Sequence, residues 1–116
     1  MPAHFKMAVQ SWIDRNPEYE HRFYDDHDCL EFIREHYPEY QLLYKNLKLP
    51  VQKADVFRYL ILHRYGGFYT DVDTTCIRSL RELFTPGQQQ TCILGEDRHR
   101  NGRIEILQWF LASVPN

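Results

Sequence analysis

Between Val51 and Tyr65 the apolar residues Ala54, Phe57, Ile61 and Tyr65, with Leu60 beside them, recur at helical spacing, and the pattern stops at Gly66-Gly67. The next six residues, Phe68-Tyr69-Thr70-Asp71-Val72-Asp73, alternate as a strand does. A helix, a glycine turn and a strand ending in two carboxylates leave the chain little choice but a mixed α/β architecture. On an extended backbone Asp71 and Asp73 project to one side, roughly 6 to 7 Å apart, while Val72 points the other way, into a core. Two carboxylates that close repel unless a cation neutralises them. Hard divalent ions such as Mn²⁺ or Mg²⁺ take oxygen ligands of this kind and share them with substrate phosphates. Asp71 and Asp73 are therefore the candidate metal ligands.

The rest of the chain reads as alternating elements. Phe5 to Arg15 is an amphipathic helix carrying Phe5, Val9, Trp12 and Ile13, ended near Asn16-Pro17. Tyr19 to Tyr24 alternates and predicts a half-buried strand. Asp28 with Glu31 resembles a capping box, opening a helix through Leu30, Ile33 and His36 that stops before Pro38. Leu42 to Lys48 holds one further helical turn, Gly67 to Asp71 is the strand leading to the carboxylates, and Thr91 to Leu94 is another strand. Ile104, Leu107, Trp109, Phe110 and Leu111 predict a closing helix. Strands separated by helices imply a mainly parallel sheet.

Composition narrows the function classes. A chain of 116 residues supports one small domain, and 43% hydrophobic and 15% aromatic content suits a packed core. A formal charge of −2 gives no electrostatic reason to expect nucleic acid or an anionic membrane as a partner. Cys29, Cys76 and Cys92 lack zinc-finger spacing and read as buried small hydrophobes, with one disulfide left open should the protein be lumenal. No apolar run approaches the roughly 20 residues that span a bilayer, so this stretch carries no membrane anchor.

The ordered run Lys53-Ala54-Asp55, Arg58-Tyr59, Leu62, Tyr65-Gly66-Gly67, Tyr69, Asp71 and Asp73 resembles the DXD-containing sugar-transferase family that includes the yeast-type initiating α-1,6-mannosyltransferases of the Golgi. Ser11 to Pro38 also resembles the segment that precedes this motif there, so the resemblance covers most of the chain from Ser11 to about Gly95. It implies a GT-A-like nucleotide-diphospho-sugar transferase fold, of which this chain would supply the central part: a mainly parallel sheet flanked by helices. It also implies a retaining transfer of a sugar, first mannose, from GDP-mannose or a UDP-sugar to a glycan or glycolipid acceptor. By the same resemblance Asp73 is the more direct metal ligand, and Asp71 contacts donor ribose or sugar and reaches the metal directly or through water. Asp55 and Arg58 bind the donor sugar and diphosphate region, Tyr69 lines the donor pocket, and Gly67 lets the backbone approach the ligand. Arg58 offers a planar fork of donors that lysine does not reproduce.

Plainer roles stand beside these. Asp55 and Arg58 at i and i+3 make an ordinary ion pair, Gly66-Gly67 a simple helix end, Tyr69 a core aromatic, and Asp71 and Asp73 a solvated strand end. His63, Glu96, Asp97 and His99 read as solvated, and no general base is assignable. Asp71-Val72-Asp73-Thr74-Thr75 also fits the DxDxT signature of haloacid-dehalogenase-type phosphatases, but no lysine follows Lys53 to complete that chemistry. A third reading is a non-catalytic fragment that keeps the donor motif. The I-P-K-x-I-H-Q-x-W-like strand expected before Ser11 is replaced by Met1 to Gln10, so the single domain over residues 1–116 is expected to be incomplete. Golgi lumen is the expected location within a longer anchored chain, and cytoplasm otherwise.

Overall fold

The computed structural model describes residues 1–84, 87 and 91–115. In chain order the elements are α1 (Ala3–Arg15), α2 (Asp26–His36), a 3₁₀ turn (Pro38–Tyr40), α3 (Gln41–Asn46), α4 (Pro50–Tyr65), β1 (Gly67–Thr70), a second 3₁₀ turn (Leu80–Leu83), β2 (Cys92–Arg98) and β3 (Ile104–Ser113). The strands form one antiparallel sheet in the order β1-β3-β2. The chain divides into two compact units, one of Met1–His21 with Tyr69–Leu111 and one of Arg22–Phe68 with Ala112–Asn116.

Two helices are explained directly by their end residues. The Asp25 carboxylate caps α2 by accepting from the Asp28 N–H at 2.8 Å, and the Asp28 carboxylate accepts from the Asp25 N–H at 3.1 Å. The expected capping box is thus present but displaced: Asp28 is its inner partner, and the helix opens at Asp26. It stops at Tyr37, before Pro38, as the steric restriction on a pre-proline residue requires. Pro50 starts α4, where a missing N–H costs nothing, and Gln52 Oε1 accepts from the Leu49 N–H at 3.4 Å. Gly66 ends α4 with φ +66°, donating to the Leu62 carbonyl at 2.8 Å.

That glycine is doubly required. With φ +66° and ψ −161° its backbone lies in a region essentially confined to glycine, costing an L side chain about 1–3 kcal/mol, and a Cβ here would also lie 2.6 Å from both Pro115 Cδ and Pro115 N. Ser113 Oγ donates to the Leu62 carbonyl at 3.4 Å, so the end of β3 is fastened to the last turn of α4 at this point.

In the unit built from residues 22–68, α2 and α4 bury Phe32, Ile33, Phe57 and Leu62. The Phe32 and Phe57 rings meet edge to face with centroids 5.6 Å apart, and Tyr24 tilts against Phe57 at 5.3 Å. Each such side chain contributes about 1.5–3 kcal/mol on burial. In the other unit the buried residues are Ala8, Asn16, Cys76, Leu80 and Leu111.

Three expectations are corrected. The sheet is antiparallel, not mainly parallel. Ile104 to Leu111 is not a closing helix but β3, the central strand, because the β-branched and aromatic Ile104, Ile106, Trp109 and Phe110 favour extended backbone. A short reversal feeds it: His99 N–H donates to Arg103 O at 2.8 Å and Gly102 N–H to His99 O at 2.9 Å. Tyr19 to Tyr24 forms no strand; Tyr19 N–H turns back to Asn16 O at 3.2 Å, and alternation without a ladder partner does not hold a strand. The cysteines divide: Cys76 is buried as expected, Cys29 is half-buried and Cys92 is exposed, all three with free thiols.

Candidate functional site

Strand β1 ends at Thr70, and the backbone reverses immediately. Asp71 O accepts the Thr74 N–H at 3.2 Å and the Thr74 hydroxyl at 2.6 Å, making Asp71-Val72-Asp73-Thr74 a β-turn. Aspartate is favoured at the first position of such a turn, and the threonine hydroxyl closes it a second time. This corrects the extended geometry expected for the two carboxylates: Asp71 and Asp73 occupy the first and third positions of one turn. Val72, expected in a core, is 40% exposed at the tip. Asp71 is half-buried and Asp73 is exposed.

The turn is held from two sides within its own unit. Asp71 N–H donates to the Trp109 carbonyl of β3 at 3.0 Å, and the Trp12 indole N–H of α1 donates to the Thr74 carbonyl at 2.8 Å. Trp12 in turn stacks on Phe110, with centroids 6.1 Å apart and rings 18° from parallel.

The segment after the turn is fastened to the last turn of α1 and to its C-cap. Ser11 Oγ accepts from Cys76 N–H at 2.8 Å, and Arg15 Nε donates to Cys76 O at 2.7 Å. Asn16, fully buried, accepts the Leu80 N–H on Oδ1 at 2.7 Å and donates through Nδ2 to Trp12 O at 3.0 Å and Cys76 Sγ at 3.6 Å. Each of these satisfies a polar group that burial would otherwise leave at a cost of about 1–3 kcal/mol. Sequence reasoning missed Trp12, Thr74 and Asn16 as positioning residues. For Trp12 and Asn16 the signal was the resemblance of the Ser11–Pro38 stretch, and for Thr74 its place in the Asp71–Thr75 run; neither named a contact.

The other candidate residues lie on α4 and at the start of β1. Arg58 Nη1 and Asp55 Oδ1 form an ion pair at 3.0 Å, with the Arg58 side chain 4% exposed and that of Asp55 47% exposed. An ordinary surface pair has two solvated partners, and here the guanidinium is buried. Keeping a charged group out of water demands partners in fixed positions. Gly67 has φ +92°, and a Cβ there would meet nothing within 4 Å, so its backbone borders open space. Tyr69 is half-buried in β1. The structure therefore brings Asp55 to Arg58 and joins Asp71 and Asp73 in one turn, the first pair in the unit of residues 22–68 and the second in the other unit.

Among the described residues, no group of three or more His, Cys, Asp or Glu side chains is arranged to hold a metal ion. The two carboxylates of the Asp71–Thr74 turn nevertheless fit a Mg²⁺- or Mn²⁺-like ion, which binds through one or two carboxylates and completes its shell with water and substrate phosphate. Cys29 is no candidate nucleophile, since burial, followed by the charge of Asp26, pushes its thiol up to about 12. His63, Glu96, Asp97 and His99 are exposed as expected, and three of them are paired: His63 Nδ1 with Tyr37 Oη at 2.6 Å, Glu96 with Arg98 at 2.7 Å, and His99 with Glu105 at 3.1 Å.

Comparison with known proteins places these residues in context. The family model described as a glycosyltransferase sugar-binding region containing a DXD motif matches residues 2–92. The mannosyl phosphorylinositol ceramide synthase SUR1 of Saccharomyces cerevisiae is 34% identical over 116 residues, which is 98% of this chain and 30% of the relative. Inositol phosphoceramide mannosyltransferase 3 of Schizosaccharomyces pombe is 39% identical over 83 residues, 72% of this chain and 23% of the relative. The initiation-specific alpha-1,6-mannosyltransferase of Candida albicans is 32% identical over 106 residues, 89% of this chain and 26% of the relative. The chain thus spans less than a third of the length of these relatives. No solved structure matches it.

Proposed function

Since this chain belongs to the glycosyltransferase family whose sugar-binding region contains the DXD motif, we propose that it carries the donor side of a metal-assisted, retaining mannosyl transfer from GDP-mannose. The observation that carries this reading is the Asp71–Thr74 turn, whose two carboxylates are presented on a backbone fixed by Trp12 and Trp109.

In this reading Asp73, exposed at the third position of the turn, is the direct ligand of Mn²⁺ or Mg²⁺, and Asp71 holds the donor ribose or sugar and completes the metal's carboxylate pair. When bound, the divalent ion neutralises the negative charge that grows on the leaving diphosphate as the sugar C1–O bond breaks. Asp55 and Arg58 bind the donor sugar and diphosphate region, the guanidinium fork presenting fixed donors. Gly67 gives the donor close access to backbone, and Tyr69 lines the pocket.

The acceptor class follows the relatives named above for inositol phosphoceramide and mannosyl phosphorylinositol ceramide, so a phosphoinositol-bearing sphingolipid is the first choice, ahead of a protein-linked glycan or a UDP-sugar donor variant of the same chemistry. The half-helical chain with a small antiparallel sheet is compatible with part of a GT-A-like domain. No helix among the described residues is long and apolar enough to cross a membrane, and a Golgi location applies to a longer anchored chain.

Calorimetric titration with GDP-mannose, GDP and UDP-sugars, in Mn²⁺ and in EDTA, tests the reading. Metal-dependent binding selective for the guanine nucleotide supports it. Equal binding with and without metal, or none by either nucleotide series, rejects it.

A further inference from the structure

Within the donor reading above, on which this rests, we propose that the donor's sugar ring stacks on the indole of Trp109, a residue beyond the matched residues 2–92. Trp109 would then distinguish a nucleotide sugar from the bare nucleotide diphosphate. The Asp71 N–H donates to the Trp109 carbonyl at 3.0 Å and continues the β1–β3 ladder, so Asp71 stands opposite Trp109. Opposite residues of an antiparallel pair share a face, with Cβ atoms about 4.5–5.5 Å apart. On the other side of β3, a Cβ at Gly95 would touch the Leu107 side chain at 3.5 Å, a register that sets Ile93 beside Trp109. The indole therefore shares its face with Asp71 and Ile93, both half-buried. Gly95, diagonal to Trp109, raises no side chain beside it.

Trp109 is 42% exposed although it sits on the central strand, whereas tryptophan is highly buried on average. Its ring is also held in place. It meets the Phe110 ring with centroids 6.4 Å apart at 61°, and Phe110 stacks on Trp12 of α1. An indole fixed by neighbouring rings and still partly open offers a large contact plane at low entropic cost. A sugar ring needs two unlike surfaces: acceptors for its hydroxyls and an apolar plane for its C–H-bearing face. Asp71 supplies the first and Trp109 the second, one ladder step apart. Donor connectivity selects the sugar over the base, because the sugar is joined directly to the diphosphate while the base is separated from it by the ribose. Asp71, Ile93, Gly95 and Trp109 all belong to one compact unit of the chain.

Calorimetry of the full chain with GDP and with GDP-mannose, both in Mn²⁺, tests the proposal. Trp109→Ala is expected to lower GDP-mannose affinity about tenfold and to leave GDP affinity within about twofold. Trp109→Phe keeps a smaller aromatic plane and should fall between the two. Fluorescence of the unmodified chain gives a second readout: the indole signal should change more with GDP-mannose than with GDP, and Trp109→Phe should remove that difference. An equal loss of affinity for GDP and GDP-mannose, unchanged affinity for both, or the same fluorescence change with both ligands would each overturn the proposal. Failure of the unmodified chain to bind either ligand is a different result, since it rejects the donor reading itself and this inference with it.

Discussion

The Trp12 indole donates to the Thr74 carbonyl at 2.8 Å, so a side chain from the first helix fixes the closing residue of the turn that carries Asp71 and Asp73. Trp12→Phe keeps most of the ring stacking on Phe110 and removes the hydrogen bond. Loss of a partner for a part-buried carbonyl costs about 1–3 kcal/mol. The expected outcome is a comparable fall in urea stability together with weaker Mn²⁺-dependent donor binding. If donor affinity in Mn²⁺ is unchanged at temperatures where the variant is folded, Trp12 has no part in positioning the carboxylates.

Gly66 and Gly67 both have positive φ but differ in what surrounds them. Gly66→Ala meets backbone strain and a contact of 2.6 Å with Pro115, whereas Gly67→Ala meets strain alone. The second change is expected to cost about 1–2 kcal/mol and the first to add a further 1–3, roughly, for overpacking against the backbone. Equal denaturation midpoints for the two variants would show that the Pro115 contact is relieved without cost.

How much of this was legible in the chain depends on whether the cause was local. The spacing of Ala54, Phe57 and Ile61 with the glycine stop marks α4 to within a residue, because helix periodicity and capping are short-range effects. Ile104 to Leu111 misled for the opposite reason: its burial pattern is set by β1 and β2 on either side, which a one-dimensional reading does not contain. The DxD pair was recognised by its chemistry, yet its turn was not, since the hydrogen bonds that bend it come from Thr74, Trp109 and Trp12, the last from far earlier in the chain.

The Asp25 carboxyl is held below the ordinary carboxylate range, chiefly by the Asp28 backbone N–H. A lowered folded-state value means that the capping contribution is fully present above the unfolded value near 3.8 and is lost as pH falls through the folded one. Asp25→Asn keeps an acceptor without a titrating charge. The wild type is therefore expected to lose more stability than Asp25→Asn on acidification below about pH 4, read from urea midpoints at stepped pH. Parallel curves would show that the cap contributes nothing to acid sensitivity.

Arg58 is 3% exposed and its Asp55 partner is partly solvated, so the two ends of this ion pair should respond differently. Arg58→Lys loses the planar fork inside a buried position and is expected to cost about 1–3 kcal/mol of stability as well as donor affinity. Asp55→Asn alters the exposed end; it should leave the melting temperature nearly unchanged while weakening GDP-mannose binding. Unaltered binding by Asp55→Asn and by folded Arg58→Lys would assign the pair a purely structural role.

Asp73 gives the sharpest test, because it is exposed and its side chain makes no ion pair among those described for the chain, so its replacement should leave the fold intact. Asn is close in size and accepts hydrogen bonds, but it removes one of the two negative charges in the turn. If Asp73 helps to hold a divalent ion against the donor diphosphate, Asp73→Asn should lower GDP-mannose affinity at least about tenfold in Mn²⁺, a difference of about 1.4 kcal/mol, and hardly at all in EDTA. Raising the Mn²⁺ concentration should restore part of the loss, since a weakened site is filled by mass action. Asp71→Asn should instead reduce binding in both conditions, because Asp71 is assigned a direct donor contact besides its share of the metal. An equal loss for Asp73→Asn with and without metal would remove it from the metal site and leave the turn as a purely polar contact to the donor.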